Sequence, residues 1–422
     1  LKQSPVRLER SKKAFQFQNA PDDLISLQLK PRVLIISAGT GSGHVAAGTA
    51  LAKAFARDDR VAEVVHKDAL HYANKLFRDI YSRGYNTMIR SAPTLFGWAY
   101  RSSDEPWKTD SVRLRLDRLN TWPLVKFIRQ FDPHITVCTH FMPAGIISHL
   151  IESKQLRTHL AVVVTDFDCH AMWLSRTFHR YFVAIEEAKA HLEALGLPGS
   201  RITISGIPID PIFCTRIDRA RERERHGLNA HKTTLLLSAG ALGVGPTEQI
   251  VAQFKHLRHD VQTVVCCGRA DGLQQRVRDL VREEGARFHV LGFSDRMFEL
   301  MQMADLFIGK PGGMTASEAL ACGLPMVISS PIPGQEERNS DHLLEEGAAI
   351  KCNDLTTIPY KIDLLLDEPE RLSSMRRNAL RIAKPAAART IVETLLKDDL
   401  PVLHLNAEKR GPIRQLTTDH AT

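Results

Sequence analysis

The feature that most constrains this chain is a module written twice: a short apolar run, a glycine loop and a helix. The first copy starts as Arg32-Val33-Leu34-Ile35-Ile36-Ser37. It breaks into Ala38-Gly39-Thr40-Gly41-Ser42-Gly43-His44 and continues as an alanine-rich helical segment over 45–55. The second starts as Thr234-Leu235-Leu236-Leu237-Ser238, breaks into Ala239-Gly240-Ala241-Leu242-Gly243-Val244-Gly245-Pro246 and continues as a helix over 248–257. Further strand-like runs at 62–66, 134–139, 159–165, 180–185, 203–206, 262–267, 288–291, 306–308 and 325–329 alternate with helical segments. This alternation predicts an α/β chain with parallel sheets and helices on both faces. At 422 residues the chain exceeds one ordinary core, so it reads as two Rossmann-like, doubly wound domains facing across a cleft at the carboxyl ends of both sheets. The expected organisation is an N-terminal extension (1–30), a first domain (31–207), a second domain (208–385), a helix over 386–400 crossing back, and a flexible tail (401–422). Gly206 to Pro211 reads as the hinge, and the charged run from Arg216 to Arg225 as a solvated helix.

The second half carries the most chemistry. An apolar run ending at Ile308 feeds Gly309-Lys310-Pro311-Gly312-Gly313-Met314-Thr315-Ala316-Ser317-Glu318-Ala319-Leu320-Ala321-Cys322-Gly323-Leu324-Pro325. Glycines let the backbone approach a ligand, and the first turn of the following helix offers unpaired N–H groups and a positive dipole end. That combination suits a diphosphate. Glu318 lies one turn after Thr315, where a carboxylate accepts two hydrogen bonds from a ribose diol. Lys310 beside the glycines can pair with phosphate. A second loop, Pro333-Gly334-Gln335-Glu336-Glu337-Arg338-Asn339, brings amides and a carboxylate suited to sugar hydroxyls. Together they read as a nucleotide-sugar site.

Composition bounds the setting. No apolar run approaches the roughly 18–20 residues that cross a bilayer, and residues 1–30 hold no apolar core of a secretory signal. The seven cysteines are scattered without a CxxC pair, which reads as buried, reduced thiols in a cytoplasmic protein. Charge is uneven: residues 1–200 hold 27 Lys and Arg against 19 Asp and Glu, whereas residues 201–422 hold 29 of each. No nucleic-acid motif accompanies the basic half, so an anionic lipid surface is the expected partner and nucleic acid is not. Four of the six tyrosines (72, 81, 85, 100) and three of the four tryptophans (98, 107, 122) fall within 72–122. Arg78, Arg83, Arg90, Arg101, Arg113, Arg115 and Arg118 are interleaved with them, as in a segment that docks on a membrane interface.

These motifs carry a resemblance. The GTGSGH loop, GKPGGMTASEALACGLP and PIPGQEERN are similar to those of GT-B glycosyltransferases with lipid acceptors. Within that branch the chain most resembles the monogalactosyldiacylglycerol synthases and processive diacylglycerol glucosyltransferases, with the lipid I GlcNAc transferase more distant. Val164-Thr165-Asp166-Phe167-Asp168-Cys169-His170-Ala171-Met172-Trp173 looks like that group's T-D-F/L…H…W segment, and Gly206-Ile207-Pro208-Ile209 and Gly292-Phe293-Ser294-Asp295 also match. The resemblance spans roughly residues 31–400. It implies a GT-B fold and inverting transfer of galactose or glucose from a UDP-sugar to the hydroxyl of diacylglycerol, peripherally on the inner face of the membrane.

The resemblance also assigns roles by position. Gly292 and Phe293 would meet the uracil, Gly312, Gly313, Met314 and Thr315 the diphosphate, and Glu318 the ribose. Gln335, Glu336 and the nearby Asn339, Pro333 and Gly334 would contact the sugar. Gly240 and Gly243 would face the donor from the other wall. His44, at the tip of the first loop, and Asp166 are the two candidates for general base. The dipole of the helix His44 begins would depress its pKa. Gly43, His140, Thr165, His170 and Trp173 would lie on the acceptor side. Glycine loops and a helix N-terminus neutralise a diphosphate without metal, so no metal and no cofactor are expected. Asp166 and Asp168, spaced i, i+2, are the nearest approach to a cation pair. The rival readings are UDP-GlcNAc transfer to a polyprenyl-linked acceptor, a UDP-GlcNAc 2-epimerase, and a UDP-sugar sensor without turnover.

Overall fold

The computed structural model describes residues 30–74, 78, 92–104 and 121–405. The first strand, β1 (Arg32–Ser37), has Val33, Leu34, Ile35 and Ile36 all fully buried. An apolar run without alternation is what a parallel strand covered on both faces requires. β1 pairs in parallel with β2 (Glu63–Asp68) on one side and β3 (Ile135–Cys138) on the other, with Val33 opposite Val64 and Ile135. The sheet continues through β4 (His159–Val163), β6 (Arg180–Val183) and β7 (Ile202–Ile204), in the order β2-β1-β3-β4-β6-β7. The second sheet repeats the plan as β10-β9-β8-β11-β12-β13. Its strands are β8 (Thr234–Ser238), β9 (Gln262–Cys266), β10 (Phe288–Leu291), β11 (Leu306–Gly309), β12 (Met326–Ser329) and β13 (Ala349–Cys352). In each sheet the strand order reverses at the opening strand, β1 or β8. The crevice for a ligand therefore opens where the two glycine loops emerge.

The helices that matter for the site are α1 (Ser42–Ala56), α2 (Pro93–Ser102), α3 (Phe141–Glu152), α4 (Arg219–Arg225), α5 (Gly313–Ala321), α6 (Gln335–Glu345) and α7 (Ala387–Leu395). The N-terminal ends of α1 and α5 meet across the crevice, where a Cβ on Gly43 would lie 3.4 Å from Met314 Cβ. Their contact belongs to a shared apolar cluster in which Ala47, Phe167 and Ile207 of the first lobe join Met314, Ala316 and Ala319 of the second. α7 buries Ile391, Val392 and Leu395 among Val33, Ile35, Leu51 and Phe55 of the first lobe.

Several sequence expectations are corrected. The run 216–225 is not a solvated helix throughout. In α4, Arg223 is buried, and Arg219 and Arg223 both donate to Asp305 at 2.7 Å, where Arg376 also arrives at 3.0 Å. One half-buried carboxylate thus gathers three guanidinium groups, a partner in the folded chain that the local charge pattern cannot reveal. Residues 401–405 are not loose: β14 (Leu403–His404) pairs antiparallel with β5 (Thr177–Phe178). The remainder of the tail, and all of 1–29, lie outside the described residues. The thiols are buried except Cys214, which is exposed, and Cys322, which is half-buried. Cys266 and Cys267 face the two opposite sides of the second sheet, one in each apolar layer.

The aromatic and basic stretch divides. Tyr81, Tyr85, Trp107, Arg83, Arg90, Arg113, Arg115 and Arg118 lie outside the described residues. Tyr72 packs its ring on Phe127 at 5.6 Å and Tyr100 packs on His170 at 4.2 Å. Trp98 and Trp122 are turned outward, 64% and 56% exposed, and Leu95 beside Trp98 on α2 is 55% exposed. Among the described residues, no helix is long and apolar enough to cross a membrane.

Candidate active site

Both glycine loops open on one cavity of about 460 Å³, a size suited to a small-molecule ligand. From the first lobe its wall takes Gly43, His44, Thr165 and Asp166. The second lobe contributes Gly240, Gly292, Phe293, Lys310, Gly312, Gly313, Met314, Thr315, Glu318, Gln335 and Glu336. Of the site residues read from sequence, Gly243, Pro333, Gly334, Asn339, His140, His170 and Trp173 lie outside this lining.

Electrostatics on the donor side follow from two helix ends. α1 and α5 are preceded by Gly41 and Gly312, which supply no side-chain cap, and neither first turn holds an acidic residue. Their leading N–H groups are left for a ligand, and both dipoles favour an anion between them. Lys310 adds a full charge on the same wall. Glu318 is the exception in sign. Burial, with a smaller contribution from the Asp210 charge, pushes its carboxyl from the ordinary 4.5 up to about 8. It is therefore largely neutral near pH 7, and any hydrogen-bond donor brought to it favours its ionised form. Asp210 itself is tied to Lys53 at 2.5 Å and caps the Ile212 amide at 3.1 Å.

At the far end of the donor side, Phe293 is 47% exposed and the Arg269 guanidinium lies 3.3 Å over its ring. Gly243 adopts φ +62°, and a Cβ there would stand 2.6 Å from the Cys267 carbonyl oxygen. Only glycine lets the loop fold down onto β9 there and leave Gly240 on the wall. The sugar loop is split by a turn at Gly334, φ +82°. Before it, Pro333 packs against Gly97 of α2, and Gly334 packs against Tyr100. Both face α2 and lie outside the cavity lining. After the turn, α6 starts with Gln335 and Glu336 on the wall. Glu336 Oε2 accepts from the Ile332 amide at 2.8 Å, and burial raises its pKa against the opposing charge of Lys310.

On the acceptor side His44 is fixed through one ring nitrogen. Nδ1 lies 3.0 Å from the Thr139 carbonyl oxygen and 2.7 Å from Thr165 Oγ1. A carbonyl only accepts, so Nδ1 carries the proton and Nε2 keeps its lone pair. Burial lowers the His44 pKa below 6.5, while the Asp166 charge and the Thr139 carbonyl oppose that. Desolvation is the main cause of this depression. Asp166 makes no hydrogen bond to His44. Its oxygens take Asn339 Nδ2 at 3.2 Å and Gln335 Nε2 at 3.5 Å, and burial raises its pKa. Asp168 turns instead to Arg338 at 2.7 Å, so the two carboxylates do not face a common point.

The other two candidate histidines are caps. His140 Nδ1 accepts from the Met142 amide at 3.1 Å and starts α3, with its ring edge-on to His44 at 4.7 Å between centroids. His170 Nδ1 likewise accepts from the Met172 amide at 3.0 Å, and its Nε2–H donates to the Tyr100 carbonyl at 2.8 Å. Trp173 is buried 6.2 Å from the His44 ring. Asn339 is fully buried and accepts from the Phe167 amide at 2.8 Å. Sequence reasoning missed Thr139, whose carbonyl sets the His44 tautomer. Its position at the carboxyl end of β3 was the available signal. It also missed Asp210 and Arg338, which act across lobes.

The sequence patterns of two families match this chain. Residues 44–209 match the family described as Monogalactosyldiacylglycerol (MGDG) synthase, and residues 218–381 match Glycosyl transferases group 1. The processive diacylglycerol beta-glucosyltransferase of Bacillus cereus (strain AH187) is 30% identical over 378 residues, covering 87% of this chain and 94% of the relative. Among solved structures, MurG of Acinetobacter baumannii superposes with a TM-score of 0.55 at 17% identity, covering 87% of this chain and all of the other. UDP-GlcNAc 2-epimerase from Neisseria meningitidis superposes with 0.57 at 12%, with the same coverage. At such identities these two speak for the GT-B fold alone.

Proposed function

We propose, because this chain belongs to the family of monogalactosyldiacylglycerol synthases and processive diacylglycerol glucosyltransferases, that it moves a hexose from a UDP-sugar to the free hydroxyl of diacylglycerol. The observation that carries this reading is the shared cavity. An imidazole with a free Nε2 stands on one wall, and two uncapped helix N-termini, Lys310 and Glu318 on the other. The acceptor hydroxyl gives its proton to His44 Nε2 as its oxygen attacks C1 of the sugar. The bond from C1 to the β-phosphate oxygen breaks, and the charge on departing UDP is received by the N–H groups of α1 and α5 and by Lys310. The relative is named for a β-glucoside, and a UDP-hexose carries its sugar in the α configuration. One displacement with inversion connects the two. Asp166 sustains the imidazolium formed at His44. Gln335 and Glu336 hold the sugar hydroxyls.

The reaction needs no metal on this reading, since dipoles and Lys310 supply the positive charge a cation would bring. The lipid side rests on the basic first half and on Leu95, Trp98 and Trp122, which face outward from the first lobe. Such residues seat a peripheral enzyme on an anionic membrane. The test is transfer from labelled UDP-glucose and UDP-galactose to diacylglycerol in anionic vesicles with EDTA present. A labelled glycolipid is expected and identifies the sugar. Product with a polyprenyl-linked acceptor alone, or no turnover despite UDP binding, overturns the reading.

Glu318 gives a separate pH test of the donor site. Its raised pKa keeps it neutral below about 8 and ionised above, and only the carboxylate accepts two diol hydrogen bonds. Binding of UDP should therefore tighten as pH rises, by about tenfold between pH 7 and 9. Glu318→Gln should match wild type near pH 6.5 and lack that rise. Calorimetric titration with UDP at both pH values reads the effect; a parallel rise in the variant removes Glu318 from the ribose.

A further inference from the structure

Beside the cavity, but behind its wall, three chain segments meet at one arginine. Arg338 of α6 donates through Nη1 to Asp168 at 2.7 Å and through Nη2 to Asp104 at 2.6 Å. Asp168 belongs to the 166–173 loop of the first lobe, and Asp104 directly follows the C-cap of α2. The other oxygen of Asp104 accepts from the Ala171 amide at 2.7 Å, and Tyr100 of α2 accepts from His170. Loop and helix are thereby stapled to one another before Arg338 ties both to the second lobe. The same face of α2 receives Pro333 and Gly334, with Arg101 3.8 Å from Glu337.

An exposed ion pair contributes little. This one is different in geometry: the carboxylate side chains are only 16% and 24% exposed, the guanidinium 34%, and one planar fork serves two anions from separate segments. Burial works against the charge on both sides. The facing carboxylates nevertheless hold the Arg338 pKa up, and the Ala171 amide, His170 and Arg338 hold that of Asp104 down.

What the junction controls follows from its neighbours. Gln335 and Glu336 line the sugar end of the cavity one turn before Arg338, and Asn339 directly after it binds Asp166 and the Phe167 amide. Across the gap, Asp168 lies two residues from Asp166, the charge that acts on His44. We propose that Arg338 is a positioning residue for transfer. It latches the 166–173 loop and α2 to α6, and so fixes the spacing between the sugar-holding pair Gln335–Glu336 and the acceptor-activating pair His44–Asp166. This rests on the transferase reading above. UDP lies on α1 and α5, away from the latch, so its binding is independent of Arg338.

The test compares wild type, Arg338→Gln and Arg338→Lys in the full chain. Loss of the latch should lower kcat about 10- to 100-fold, the scale of an ångström-sized misplacement, with the inhibition constant of UDP within about threefold of wild type. Lysine replaces the fork by a single point charge and should fall between. Adding Asp168→Asn to Arg338→Gln should cost nothing more. Hydrogen exchange, which needs no turnover, should be faster at amides 167–173 in Arg338→Gln. Wild-type kcat in Arg338→Gln would overturn the proposal, as would unchanged exchange. A joint loss of kcat, UDP binding and Tm that lysine does not relieve would also overturn it, as a purely structural role. If wild type transfers no hexose, the transferase reading fails, and the exchange result still decides whether the latch exists.

Discussion

Replacing Gly313 by alanine should reduce transfer by more than about a hundredfold while leaving a folded protein. A Cβ at Gly313 would stand 2.2 Å from the Thr165 carbonyl oxygen and 3.0 Å from Ile207 Cδ1. Gly313 begins α5 with helical geometry, so its backbone accepts alanine; the obstacle is the opposing lobe. The nearest atom is main chain just beyond β4 and cannot rotate aside. Relief must come from parting the lobes or shifting Thr165. Either move carries the proposed chemistry with it, because Thr165 Oγ1 is 2.7 Å from His44 Nδ1 and the amide of Gly313 belongs to the helix end proposed to receive the diphosphate. Displacing reacting groups by an ångström costs about 10²-fold. Overpacking itself costs about 1–3 kcal/mol, a modest fall in Tm. Turnover, UDP affinity and thermal melting measured together check this. Wild-type turnover would mean that the catalytic form does not bring Gly313 against Thr165.

Gly313 also shows how far sequence alone reaches. That the helix after Gly312-Gly313 would receive an anion is a local property, legible from the residue types and their order, as is the repeated strand–loop–helix plan. That the same glycine is needed for contact with Thr165, 148 positions earlier, is not local and has no sequence signature. Other features hidden from the sequence have the same origin. Pro333 and Gly334 read as one loop with Gln335 and Glu336, but the left-handed turn at Gly334 sets the first pair against Gly97 and Tyr100, which are remote in sequence. Arg219 and Arg223 read as solvated because Asp305 is remote in sequence. His140 and His170 have the residue type of a catalytic group, but each spends Nδ1 on an amide two residues ahead, a cap that any histidine before a helical turn can form. β13 does not read as a strand from sequence, because four residues including a lysine at a sheet edge carry too little apolar pattern. The tautomer of His44 depends on a backbone carbonyl, which every residue has.

The division of labour between His44 and Asp166 has the other large expected effect. If Nε2 of His44 takes the acceptor proton, His44→Ala should lose about 10²- to 10⁴-fold in kcat and keep UDP affinity. Asp166→Asn should be milder, about 10- to 100-fold, because its carboxylate stabilises the imidazolium without receiving the proton itself. The pH profile separates the roles by sign. Activity requires neutral His44 and is lost as pH falls through its pKa, which burial sets below 6.5. The Asp166 charge raises that pKa, so removing it should move the acid limb to still lower pH even as the plateau drops. If Asp166 were the base, asparagine would be as damaging as His44→Ala and the residual rate would have no acid limb tied to a carboxyl. Measuring kcat from pH 5 to 8 on diacylglycerol vesicles distinguishes the two. An acid limb that stays in place in Asp166→Asn would break the electrostatic link between the pair. Both groups lie on the wall facing Lys310 and α5, and the imidazole alone combines an available lone pair with a depressed pKa, which is why the proton is assigned to it.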